Sequence, residues 1–346
     1  MRKLISRTQI PASGQGTVLQ GTDERAIFIP FATDPETIDI EIDANGSPVT
    51  LEAADWLVCF VPGLRKQWWH GLVDAKHKHV FAMRMVDENT WLIMEPWWTR
   101  NMVNVLSFDQ AVQFLRWAAA GDIIKVREAI PGHGSQTRGW SNCAVLVSFM
   151  LGRRYRTWSP HGLYKKLKAE QGAEVVDVSR LLVEHCTTVA IRTTQAVLGA
   201  STRQPDESLE SILSYIGQGI VHARLTPAVI GIHKAAAAGS HLFKGAAEAY
   251  WANGPERVIE RIRGLLEEAN RRREINIADS ILAARRFVAM LRNNLHRAIG
   301  GCVDAPPPEA QIHDYVKSIV TAFLHGASDV AGPKGSEVAF QKELVC

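Results

Sequence analysis

The sequence predicts a multidomain chain, with an α+β N-terminal module followed by an all-α C-terminal one, and two observations carry that prediction. All but one of the ten tryptophans lie before residue 160, and Trp251 alone lies beyond it. From Leu209 to Gly326 the apolar residues recur at helical spacing, whereas Trp56 to Val126 alternates short apolar runs with turn residues. A single domain seldom changes composition so sharply. The chain is therefore divided into 1–50, an irregular or short-strand lead, 51–175, the α+β module, 176–330, the all-α module, and 331–346, a tail. The turn-rich stretch Gly199 to Asp206 is a second soft spot.

With 346 residues, 46% of them hydrophobic and 22% charged, the chain is long enough for two cores and too apolar to be disordered. A net charge of +3 excludes a strongly basic polyelectrolyte. The five cysteines (Cys59, Cys143, Cys186, Cys302 and Cys346) are scattered, odd in number and never in a CxxC pair. That pattern suggests neither a disulfide framework nor a thiolate zinc site, and a reducing cytoplasm is the expected location. No stretch approaches the roughly 18 apolar residues of a membrane span, so no membrane partner is expected.

Within the first module, Ile38, Ile40 and Ile42 alternate with Asp39, Glu41 and Asp43 as an edge strand would. Trp56 to Val61 reads as a strand ended by Pro62-Gly63, and His79 to Val86 with Thr90 to Glu95 as a hairpin around Asp87-Glu88-Asn89. A helix capped by Ser107 or Asp109 follows, turning Val112, Leu115 and Trp117 inward and ending at Gly121, and Ile123 to Val126 is another strand. The glycine-rich loop Gly132 to Gly139 then delivers Cys143 to the start of a buried helix that stops at Gly152.

A thiol in the first turn of a helix faces unpaired backbone N–H groups and the positive end of the helix dipole, which favours thiolate and offers donors to an oxyanion. Such a nucleophile needs a base. A hairpin turning at 87–89 pairs residue 79 with a position near 97, which puts Glu95 on the same face as His79. The candidate triad is Cys143 as nucleophile, His79 as base and Glu95 as the group that orients the imidazole, with Asn89 or a backbone carbonyl as alternatives for the third role. Against it stands the ordinary role of a lone cysteine as a small core residue. His70 and His77, beside Lys76 and Lys78, read as surface histidines in a basic patch. A metal set drawn from His70, His77 and His79 lacks a local carboxylate or thiolate to complete it, so neither a metal nor a cofactor is expected. The pairs Trp68-Trp69 and Trp97-Trp98 are candidates for a sugar or peptide groove or for capping a small core.

His79-Val80-Phe81, the strand Trp91 to Pro96, Asn142-Cys143 and Ser159 to Tyr164 together resemble small phage and prophage proteins of the circularly permuted papain-like (NlpC/P60-type) thiol superfamily. The resemblance runs from Trp56 to Leu167. It implies a papain-like α+β fold with Cys143, His79 and Glu95 at the triad positions, and the activity of an amidase, peptidase or acyltransferase without choosing a substrate.

In the second module Ser208 to Val221, Pro227 to Ala237 and Ala246 to Asn253 read as helices, followed by one that starts at Pro255 and ends near Arg272. Asp279 or Ser280 caps a helix with Phe287, Met290, Leu291, Leu295 and Ile299 on one stripe, and after Pro306-Pro307-Pro308 a last helix carries Ile312, Tyr315, Val316, Ile319 and Phe323. Arg271-Arg272-Arg273 reads as a solvated helix end.

This block, through Leu225-Thr226-Pro227, Ala249 to Arg257, Ile275 to Asp279, Ala283 to Phe287 and Val320 to Gly326, resembles the C-terminal domain of TetR-family transcriptional regulators. The resemblance implies a homodimer formed through the last two helices, about 280–300 and 309–325, and a pocket for a small apolar effector. His222, His233, Phe243 and Trp251 are candidates to line it, with a core role as the alternative for each. The helix-turn-helix head of such regulators is missing: Gly162 to Leu167 mimics its closing turn, but Cys143 to Pro160 lacks its spacing, so DNA binding is doubtful. The expected function is a thiol hydrolase or acyltransferase module fused to a ligand-binding dimerisation domain. The alternative is a TetR-like regulator or ligand-binding dimer whose first half has no enzymatic role.

Overall fold

Strand β1 (Asp55–Val61) is buried along almost its whole length, as its unbroken apolar run requires, and it forms the spine of a six-stranded sheet. The computed structural model describes Val49 and residues 52–64, 73–97, 100–130, 142–199, 207–239, 241–293 and 307–328. The Ile38 to Ile42 alternation, the Gly132 to Gly139 loop, Trp68-Trp69, His70, Trp98, Leu295 and Ile299 lie outside these residues.

The other strands are β2 (His79–Met85), β3 (Thr90–Pro96), β4 (Asn101–Ser107), β5 (Asp122–Arg127) and the short β6 (Glu174–Val175). All neighbours are antiparallel, in the order β4-β3-β2-β1-β5-β6. The hairpin has the expected register, with Ala82 opposite Met94 and Met83 opposite Ile93. Its turn is held by the Asp87 carboxylate, which accepts from the backbone N–H groups of Asn89 and Thr90, both at 2.8 Å.

Alternation along β1 serves two cores. Leu57, Cys59 and Val61 face one of them, together with Phe81, Met83, Trp91 and Ile93 of the neighbouring strands. Helix α1 (Phe108–Ala118) covers part of that face, and Gln110 closes its first turn by accepting from the Ser107 backbone N–H at 3.0 Å. Trp56, Val58 and Phe60 face the opposite core, which α2 (Cys143–Met150) and α3 (Pro160–Lys168) cover with Ala144, Val147, Leu163 and Leu167. Arg153 ties these two helices together, donating from Nε and Nη2 to the two carboxylate oxygens of Glu170 at 3.1 and 2.8 Å.

Among the described residues seven further α-helices follow: α4 (Val178–Leu198), α5 (Leu209–Leu225), α6 (Pro227–Ala237), α7 (Lys244–Asn253), α8 (Pro255–Arg271), α9 (Ser280–Asn293) and α10 (Glu309–Ser328). They do not pack as one bundle. Val178, Leu182 and Cys186 of α4, Val229 and Ile232 of α6, and Tyr250 of α7 join the first core of the sheet. The end of α4 and helices α5, α8, α9 and α10 build a separate core around Ile216, Leu265, Phe287 and Val316. The N-terminal half is thus a mixed α/β sheet region and the C-terminal half is helical, and one core contains residues from both.

Candidate functional site

Cys143 stands first in α2, as the sequence predicts. Asn142 caps the helix: its Oδ1 accepts from the Val145 backbone N–H at 3.1 Å, and its Nδ2 donates to the Trp158 carbonyl at 2.6 Å. His79 opens β2 and stacks on Trp117, the ring centroids 5.7 Å apart. Glu95, on β3, is 2% exposed, and its Oε1 lies 3.5 Å from His79 Nε2. That is an ion-pair separation rather than a close hydrogen bond, and a carboxylate so deeply buried is costly unless a cation faces it. Burial of His79 favours the neutral ring, but the Cys143 thiol and the Glu95 carboxylate outweigh it and raise the imidazole pKa to about 9.

The structure places Glu95 beside His79, and Cys143 is near enough to raise the pKa of the ring, although the buried His79 Nε2 makes no hydrogen bond. An imidazolium between a thiol and a carboxylate can hold a proton and return it, as nucleophilic thiol chemistry requires. The other described cysteines, Cys59 and Cys186, are buried, whereas Cys143 is partly exposed. Burial raises the Cys59 thiol well above its usual range and pushes Cys186 up to about 12, so both stay protonated.

The four candidate effector residues stand in different settings. His222 is exposed and its Nε2 lies 3.0 Å from Glu309 Oε1. His233 contacts the Tyr250 ring edge-on at 5.9 Å, Phe243 is 1% exposed within the sheet core, and Trp251 is 36% exposed. Two surface clefts, one lined by Asn270, Arg271 and Arg273 to Asn276 and one by Gly121, Asp122, Val178 and Leu242 among others, contain none of the four.

His77 departs from the surface role expected of it: it is 3% exposed, with Nε2 2.7 Å from Asp122 Oδ2 and Nδ1 2.9 Å from His161 Nδ1. Lys76 and Lys78 disguised it, because both its neighbours are charged while the bend before β2 turns its own ring inward. Asp122 and His161 are distant from His77 in sequence, whereas Asp74, three residues before it, was a local carboxylate signal beside the histidine at the first turn of α3.

Residues 211–326 match the model of the AefR-like transcriptional repressor C-terminal domain. Among solved structures, a protein described as a TetR-family transcriptional regulator from Mesorhizobium loti is 15% identical, with 54% of this chain and 86% of that one covered at a TM-score of 0.38. The flavonoid-responsive regulator FrrA is 19% identical over the same shares, at a TM-score of 0.37. No curated protein matches the sequence. None of these comparisons supports the papain-like expectation for the first half. The helical segment from α5 to α10, residues 211–326, is a TetR-family C-terminal domain that follows a mixed α/β sheet region.

Proposed function

We propose that the chain is a TetR-like regulator or ligand-binding dimer in which the N-terminal sheet region has no enzymatic role. The observation that carries this reading is the family match, which spans helices α5 to α10 in one continuous stretch. Helices α2 and α3 bury Ala144, Val147, Leu163 and Leu167 against the sheet and offer no helix-turn-helix in its place. The apolar stripe of α9 and α10, Phe287, Leu291, Ile312, Val316 and Phe323, is buried within the protomer. A partner must therefore meet their outer faces, where Leu282 is 43% exposed and Thr321 and Ala322 are exposed. Sedimentation should show a dimer at micromolar concentration, and Leu282→Glu combined with Ala322→Glu should give a folded monomer. A wild-type chain that is monomeric at every concentration would end the dimer reading.

A second reading has its own observation, the meeting of Cys143, His79 and Glu95. It takes the sheet region as a thiol module of papain-like type that transfers or hydrolyses an acyl group through Cys143, with His79 as base and Glu95 as orienter. Iodoacetamide should alkylate Cys143 at pH 7 at least about tenfold faster than an ordinary thiol of pKa near 8.5, and His79→Ala should abolish that advantage. Equal rates in wild type and His79→Ala would remove the enzymatic role and leave the ligand-binding dimer.

A further inference from the structure

The loop before β2, the first turn of α3 and the start of β5 converge on a cluster that neither reading uses. His77 Nδ1 and His161 Nδ1 are 2.9 Å apart. Asp74 Oδ1 lies 3.9 Å from the first, and Asp74 Oδ2 lies 3.7 Å from the second. Three potential donor atoms, one from each residue, lie within 4.8 Å of one another.

The chemistry of Asp122 decides the state of His77. An ionised carboxylate only accepts hydrogen bonds, so the 2.7 Å contact from His77 Nε2 to Asp122 Oδ2 places the hydrogen on Nε2. With the hydrogen on Nε2, Nδ1 carries the lone pair and turns it toward His161 Nδ1, 2.9 Å away, and Asp74. The ring is held between neighbours, its centroid 5.4 Å from that of Phe60 and 4.4 Å from that of Tyr164. A packed imidazole with one nitrogen on an outer carboxylate and the other turned toward further donor atoms is the arrangement that orients a histidine toward a metal ion. Tetrahedral bonds of 2.0–2.1 Å separate donor atoms by about 3.3 Å. The 2.9 Å between the two Nδ1 atoms and the 3.7 Å from His161 Nδ1 to Asp74 Oδ2 lie on either side of that value, and one donor atom from each residue falls within 4.8 Å of the others. The side chains of His161 and Asp74 are about one-third exposed, at 34% and 37%, so they have room to adjust and leave a fourth position open to solvent.

We propose that Asp74, His77 and His161 bind a divalent transition-metal cation of the zinc class, with Asp122 as the outer carboxylate that fixes the His77 tautomer. Two imidazoles and one carboxylate favour such an ion over magnesium or calcium, which take oxygen ligands. The ion joins the loop before β2 to the start of α3, and through Asp122 to β5. The chain just before α3 also supplies the Trp158 carbonyl that receives Asn142, the cap of the helix bearing Cys143. The metal cluster and the thiol cluster share no residue, and they lie on different neighbours: His77 against Phe60 and Tyr164, His79 against Phe81 and Trp117.

The test is titration of the chelator-treated full chain with zinc by calorimetry, and with cobalt(II) by absorption. One ion per chain is expected, with a raised Tm and a cobalt spectrum free of thiolate charge transfer. His161→Ala and Asp74→Asn, both at part-exposed side chains, should each weaken zinc binding at least about tenfold, Asp122→Asn about tenfold, and Cys143→Ser not at all. Circular dichroism checks that each variant is folded. Absence of saturable zinc binding, or binding that persists in His161→Ala and Asp74→Asn, would overturn the proposal. So would binding lost in Cys143→Ser, which would move the ion to the thiol cluster.

Discussion

His185 lies nearly parallel to Phe108, the ring centroids 4.3 Å apart and the planes 15° from each other, and it is only 8% exposed. Its Nε2 is buried without a hydrogen-bond partner, and burial drives the imidazole pKa down to about 4 against a small opposing effect of the Glu88 backbone. The folded state therefore holds His185 neutral, whereas the unfolded chain protonates it near pH 6.5. Its contribution to stability is fully present above pH 6.5 and is lost as the pH falls toward 4, by a total of about 3 kcal/mol. His185→Phe should keep the ring stack and flatten the acid limb of the stability curve between pH 6.5 and 4, measured by urea unfolding. An unchanged slope would show that the burial of this ring is not what makes the fold acid-sensitive. At the same scale, Glu95 was legible because strand alternation fixes which face a residue takes, while His77 was not, because its position depends on a bend that no periodicity encodes.

Among the elements, the hairpin and its register were readable from three turn residues between two apolar runs. Helix α1 and helices α5 to α8 were readable from caps and apolar spacing, such as Ser208 accepting from the Ser211 backbone N–H at 3.1 Å. Strand β4 escaped notice because it pairs only along one edge and leaves Val103 and Val105 58% and 69% exposed, so no apolar face marks it. Helix α4 was missed for a different reason. It gives Val178, Leu182, Cys186 and Val189 to the sheet core and Val197 to the helical core, and a helix that serves two cores shows no single stripe. Its N-terminus was nevertheless encoded in Asp177, which accepts from the Arg180 backbone N–H at 2.8 Å.

For the whole molecule, the division at 175/176 runs beside a shared core. Phe81, Met83, Trp91 and Ile93 are roofed partly by α1 and partly by α4, α6 and α7. A fragment ending at residue 175 would leave that roof open and expose a large apolar face. Expressed alone, residues 1–175 should bind a hydrophobic dye and lack the cooperative thermal transition of the full chain. A fragment that melts cooperatively at the Tm of the full chain would show that the sheet region stands by itself. No described helix is long and apolar enough to cross a membrane.

The sequence by itself determined the change from a mixed α/β first half to a helical second half, the hairpin that sets His79 beside Glu95, and the helix that begins at Cys143. Each depends on local periodicity, turn chemistry or capping, which neighbouring residues settle among themselves. Only the tertiary structure decided that α4, α6 and α7 close over the sheet, that the stripe of the last two helices is spent inside the protomer, and that Asp74, His77, Asp122 and His161 meet. These depend on which buried faces find each other across long stretches of chain, and a residue's own neighbours in sequence carry no record of that choice.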